Sequence, residues 1–223
     1  MTSFIYDVLK DLELHSRDIS KLSLILPNKR AGLFLKREWS FVSKMTGFLP
    51  EIISIEHFIE ELSQLRLLSN TELIFEFYSV YLELTPLNER DSFDSFSKWA
   101  PTVLQDFNEI DRYLIPQEQL FEYITAIQEL NHWSLEANST PLVKGYLSFW
   151  KKVDSYYSKF TSHLLQKGVG YQGLIYRKSV ENLESYTQNN PFKSHVFLGF
   201  NALNASESTI IQELLQQEKA AIY

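Results

Sequence analysis

A small parallel α/β sheet, split by a large all-helical insertion and mostly helical overall, is the fold predicted from the sequence. Three observations carry it. Short apolar runs lie near both ends of the chain; in the first 65 residues they alternate with helical periodicity; from there to about residue 190 helical periodicity continues with no strand signal.

The elements follow in order. Ser3 to Leu14 reads as a helix with Phe4, Val8 and Leu12 on one side. Leu22 to Leu26 (LSLIL), stopped by Pro27 and Asn28, reads as a strand buried on both faces, as parallel strands are. From Ala31 to Lys44 the apolar residues Ala31, Phe34, Leu35, Trp39, Phe41 and Val42 fall on one broad helical arc. Glu51 to Ile55 (EIISI) is a second strand, followed by a helix over Glu56 to Leu65.

Ser69 and Glu72 stand at capping-box spacing and announce a helix carrying Leu73, Phe77, Val80 and Leu84. The next helix has Phe93, Phe96, Ala100, Val103, Phe107, Ile110 and Leu114 at steps of three and four, with Pro101 expected to kink or break it. Pro116 opens a helix through Leu120, Ile124 and Ile127. Ser139, Thr140 and Pro141 open another, which runs from Leu142 past Leu164 to a stop at Gly168. A further helix spans Leu174 to Tyr186. Strand character returns at His195 to Gly199 (HVFLG), Asn204 and Glu207 form a second capping box, and Ala220 to Tyr223 begins a last strand. An apolar strand cut short at the last residue predicts a piece of a longer polypeptide. The expected organisation is a discontinuous α/β domain, residues 1–65 plus 190–223, with a helical domain over 66–189.

Composition narrows the function classes. The 223 residues carry a net charge of −7 and no cysteine, which removes thiolate nucleophiles, thiolate zinc sites and disulfides. No run is long enough to cross a bilayer and no signal peptide opens the chain, so no membrane partner is expected and the predicted compartment is the cytoplasm. No GxxxxGK(S/T) string is present, so backbone amides and a lysine do not surround a nucleotide's phosphates in the usual way. Gly168, Gly170 and Gly173 follow a helix end and read as a C-cap and turn. The five histidines show no HExxH spacing, and no GxSxG nucleophile elbow occurs.

The strongest positive signal follows the first strand. Residues 21 to 44 hold Lys21, Lys29, Arg30, Lys36, Arg37 and Lys44 against Glu38 alone, a local +5 in an acidic protein. Arg30, Arg37 and Lys44 recur every seven residues along one edge of the apolar arc, where they could follow a phosphate backbone beside the free amides of a helix N-terminus. Asn28, Lys29, Arg30, Lys36, Arg37 and Lys44 are therefore the candidate DNA-binding residues. Two readings stand: phosphate contact, or a solvated helix flank with Phe34 and Phe41 in the core. The stretch Leu87 to Glu122 has the opposite sign, −5. Its Asp106, Glu109 and Asp111 read as a solvated face or a partner contact rather than a metal site, because Asp111 turns away from the other two and no histidine joins them.

The blocks LSLILPNKRAGLFLKREW, FLPEIISIEHFIEELS, DSFDSFSKWAPTVLQDFNEIDRYL and HVFLGFNALNASESTIIQELLQQEKAAIY, in this order, resemble the N-terminal part of AddB-like helicase-nuclease proteins of the PD-(D/E)XK class, particularly their Bacteroidetes-type branch. The resemblance implies a P-loop-NTPase-like, superfamily 1 helicase-like sheet whose motor has decayed. The strand with Pro27-Asn28-Lys29-Arg30-Ala31 sits at the place of helicase motif Ia, a single-strand DNA contact. Gly170 to Ile175 sits at the segment ahead of motif II. Val196 to Asn201 occupies motif II, with Leu198 and Gly199 where magnesium-holding acids would be needed. The resemblance thus implies a catalytically inactive, DNA-binding module without a cofactor of its own. Its setting would be an ATP-dependent exonuclease of DNA double-strand-break repair and recombination, working on single-stranded DNA or a duplex end with an AddA-like helicase subunit. The alternative is a helical protein–protein interaction scaffold of the same complex with no direct DNA contact.

Overall fold

The computed structural model describes residues 3–15, 19–42, 49–134 and 141–223. Along the first half run α1 (Phe4–His15), β1 (Leu22–Leu26), α2 (Lys29–Val42), β2 (Glu51–Ser54), α3 (Ile55–Ser63), β3 (Arg66–Leu67), α4 (Asn70–Leu84) and α5 (Phe93–Arg112). The second half holds α6 (Gln117–Ser134), α7 (Pro141–Gln166), β4 (Val169–Gly170), α8 (Gln172–Glu181), α9 (Leu183–Asn189), β5 (Ser194–Phe197), α10 (Ala205–Gln216) and β6 (Ala220–Ile222). The protein is mostly helical α/β, and it divides into two compact units, 1–64 with 178–223 and 65–177.

The first unit is built on a four-stranded sheet of order β2-β1-β5-β6, parallel throughout. Leu24 stands opposite both Ile52 and Val196, so β1 is central and buried on both faces, as its uninterrupted apolar run requires. On one face Leu24, Leu26, Val196 and Leu198 pack with Val8, Leu9 and Leu12 of α1 and Leu35 of α2. On the other, Phe58 of α3 meets Phe197 and His195, with ring centroids 6.0 and 5.2 Å away. The unit takes up the chain again at Lys178 rather than near residue 190, because α9 belongs to this core. Tyr186 packs edge-on against Phe58 at 5.9 Å, and the Asn182 amide donates to the carbonyls of Leu62 and Ser63. The same Asn182 interrupts the single helix expected from Leu174 to Tyr186, dividing it into α8 and α9.

In the second unit Phe77 of α4 is the hub of an aromatic core. Phe96, Phe107, Tyr156 and Phe160 surround it at 5.1 to 6.1 Å between centroids. Helix α5 continues through Pro101 without a break. It ends earlier than the spacing predicts: Leu114, read as the seventh apolar match of the helix, has φ 56° and lies beyond its C-terminus. The Leu114 amide donates to Asp111 O and that of Ile115 to Ile110 O, the paired bonds of a Schellman stop built on leucine instead of glycine. The interval is also not free of strand. Arg66–Leu67 and Val169–Gly170 form a two-stranded parallel ladder, too short and too polar to leave an apolar run in the sequence.

Candidate nucleic-acid interface

Helix α2 leaves β1 after two residues. Pro27 cannot extend the strand's hydrogen bonding, and Asn28 caps the helix, its Oδ1 accepting from the Ala31 amide at 2.9 Å. Asn28, expected among the DNA-binding residues, thus has its side-chain oxygen engaged in its own helix. The start of α2 lies outside the carboxyl end of β1, which has β2 on one side and β5 on the other. In open parallel sheets such a reversal of strand order opens a crevice where ligands bind.

One narrow stripe of α2 is buried: Leu35 is 1 % exposed, and Ala31 and Trp39 pack partly against the same core. The opposite face is open. Phe34 is 48 % and Phe41 74 % exposed, so the broad apolar arc expected from the sequence is in fact two stripes. Position 34 lies about 100° around the helix from position 35, and position 41 about 120°, too far to share one core contact. Arg30, Phe34, Arg37 and Phe41 instead follow one another at steps of four, three and four along a single exposed face, where a basic group alternates with a ring. The Arg30 guanidinium lies 5.8 Å from the Phe34 ring centroid. Lys29 and Lys36 stand exposed at the side of the same face. No salt bridge engages Lys29, Arg30, Lys36 or Arg37 among the described residues. Lys44, the remaining candidate, lies outside the described residues.

The neighbouring strand end offers no carboxylate. Leu198 is buried in the core, and Gly199 follows with φ 71°, a backbone state that suits glycine. Among the described residues no three His, Asp or Glu side chains are grouped to hold a metal ion. Asp106, Glu109 and Asp111 are separated by environment. Asp106 is exposed, whereas Asp111, expected on a solvated face, is fully buried, with its Oδ1 accepting from Arg177 Nε at 2.6 Å and from the Tyr157 hydroxyl at 2.5 Å.

Two histidines have side-chain partners that spacing alone did not suggest. His163 Nε2 lies 2.7 Å from a Glu76 carboxylate oxygen, which also accepts from Lys167 at 2.6 Å; the Lys167 ammonium, helped by the His163 hydrogen bond, holds the Glu76 carboxyl below its usual range. His195 is buried on β5, with Nδ1 3.2 Å from Lys219 O and Nε2 2.9 Å from the Tyr186 hydroxyl. No helix among the described residues is long and apolar enough to cross a membrane. No protein-family model and no curated protein matches this chain.

Proposed function

We propose that the chain is a catalytically inactive, helicase-like DNA-binding module that guides DNA within an ATP-dependent helicase-nuclease of double-strand-break repair and recombination. The single observation carrying this reading is the outward face of α2, where Arg30, Phe34, Arg37 and Phe41 alternate in the open with Lys29 and Lys36 beside them. Guanidinium and ammonium groups that meet no acidic partner among the described residues suit a phosphate backbone, and exposed rings between them suit unstacked bases, so single-stranded DNA or a frayed duplex end fits better than an intact duplex. The position of α2 at the strand-order reversal, and the replacement of motif II acids by Leu198 and Gly199, support a superfamily 1 helicase-like sheet without its motor. On this reading the module works in the cytoplasm and needs no nucleotide or metal of its own. ATP-driven movement falls to an AddA-like partner subunit, and DNA cutting to the exonuclease region of the full-length protein.

The test is the salt dependence of binding to a labelled oligothymidine by the full chain. Replacing Lys29, Arg30 and Arg37 together with Ala is expected to weaken binding and to flatten the slope of log K against log salt by roughly 0.7 for each phosphate left without its cation. An unchanged affinity and slope in a variant that retains its circular dichroism and melting temperature would sink the reading. The interaction scaffold without DNA contact would then take its place.

A further inference from the structure

A groove of about 660 Å³ lies within the 65–177 unit, between α5, α6 and α7. Val103, Ile110, Leu120 and Ile124 give it apolar walls. An α-helix about 10 Å across fills roughly 400 Å³ per turn, so the space admits a ridge of side chains from a few turns and not a whole helix. Among the described residues its charged lining is lopsided. Lys98 donates to Asp94 at 2.7 Å, one turn away on its own helix, and is already matched. Glu109 has only a loose 4.0 Å approach to Arg112, and Asp106 takes no hydrogen bond or ion pair among the described residues. Partial burial pushes the Asp106 carboxyl pKa up. Asp106 is exposed and takes no positive partner among the described residues, so its carboxylate is open to a cation supplied by a ligand.

We propose that this groove is the docking site for an amphipathic α-helix of a protein partner, which lays an apolar ridge along Val103, Ile110 and Leu120 and sets a Lys or Arg against Asp106. Charge complementarity selects this occupant: Asp106 and Glu109 stand on the α5 wall with no cation closer than the loose Arg112 approach among the described residues, so the partner's flank is basic. The wall residues on α5, Val103 and Ile110, stand seven apart, the repeat at which the side chains of a packed helix recur. The site lies in the other unit from α2 and does not depend on DNA binding.

The experiment displays a library of amphipathic helices, with an apolar i, i+3, i+4, i+7 ridge and randomised flanks, against the full chain. Recovered helices are expected to carry Lys or Arg beside the ridge, to weaken about tenfold or more in affinity on Asp106→Lys, and to stop binding on Leu120→Glu. Asp106→Asn, which removes the charge at nearly constant shape, is expected to give an intermediate weakening, and unchanged circular dichroism shows the variants folded. Failure to recover any helix, recovery without basic preference, or binders indifferent to both Asp106 variants would overturn the proposal. A wild-type dimer in sedimentation that Leu120→Glu dissolves would also overturn it and assign the groove to a second copy of the chain.

Discussion

Asp111 and Arg177 form a buried ion pair, 66 residues apart in sequence and 2.6 Å apart in space. The carboxylate has no solvent exposure; besides Arg177 it accepts from the hydroxyls of Tyr157 and Tyr171. The guanidinium continues outward, with Nη2 donating to the Ile110 and Ile115 carbonyls that flank the left-handed Leu114. One cation thus neutralises the buried acid and secures the stop of α5. Desolvating two charges is repaid only when every remaining donor and acceptor is met, and here the tyrosines complete the set.

Asp111→Asn should therefore cost about 3 kcal/mol or more, because it strands a buried guanidinium. Arg177→Lys should cost less than Arg177→Ala, since an ammonium restores the charge but cannot reach the acid and both carbonyls together. Urea denaturation of the three variants checks the order. Equal, small destabilisations would mean that the pair contributes little.

Gly173 makes a close approach that no other residue permits. Its amide donates to Asn108 Oδ1 at 2.7 Å, and a Cβ at this position would land far inside contact distance of the Asn108 main-chain carbonyl. Since backbone cannot swing aside as a side-chain tip can, Gly173→Ala should destabilise by about 2 kcal/mol or more. Gly168→Ala tests a different cost, strain at φ 66° with open space around the Cβ, and should destabilise by about 1 kcal/mol. Thermal melts of both variants distinguish crowding from strain.

Phe34 and Phe41 supply a test of base stacking that is separate from phosphate contact. Phe34→Ala with Phe41→Ala should leave the melting temperature nearly unchanged, as both rings are exposed. Affinity for oligothymidine should fall by about 1–3 kcal/mol per stacked base, with the salt slope unaltered. Unchanged affinity in the folded variant would assign the face to phosphates alone.

His195 predicts a pH dependence. A carbonyl can only accept, so Nδ1 carries the proton toward Lys219 O and the neutral Nε2 accepts from the Tyr186 hydroxyl. Burial, reinforced by the nearby Lys193 and Lys219 charges, lowers its pKa from 6.5 to about 4 against the raising pull of the Lys219 carbonyl and Glu51. Between those values the unfolded chain takes up a proton that the folded protein refuses. Stability is thus complete above pH 6.5 and declines as pH falls toward 4, by on the order of 3 kcal/mol in all. His195→Phe should flatten the melting-temperature profile between pH 6.5 and 4.5, above the range of ordinary carboxylates. Parallel profiles for the two proteins would contradict the assignment.

The features legible in the amino-acid sequence are those whose causes lie within a few residues. The Leu22–Leu26 strand is one, because a β run that finds cover on both faces has to be apolar throughout. The capping boxes at Ser69/Glu72 and Asn204/Glu207 are others, each closed by side chains three positions apart, and so is the left-handed Gly168 beyond α7. Features that depend on partners far along the chain were settled by packing. Periodicity marked α2 as amphipathic, but only its seat on α1 and the sheet turned Leu35 inward and left Phe34 and Phe41 outside. Asp111 looked like any acid of an acidic helix until topology brought Tyr157, Tyr171 and Arg177 to it. The ladder of Arg66–Leu67 with Val169–Gly170 likewise exists only because strands roughly a hundred residues apart supply each other's backbone partners. A local pattern can state that a residue needs a partner; which partner it obtains is set by the fold, since burial and charge pairing are properties of the space between elements.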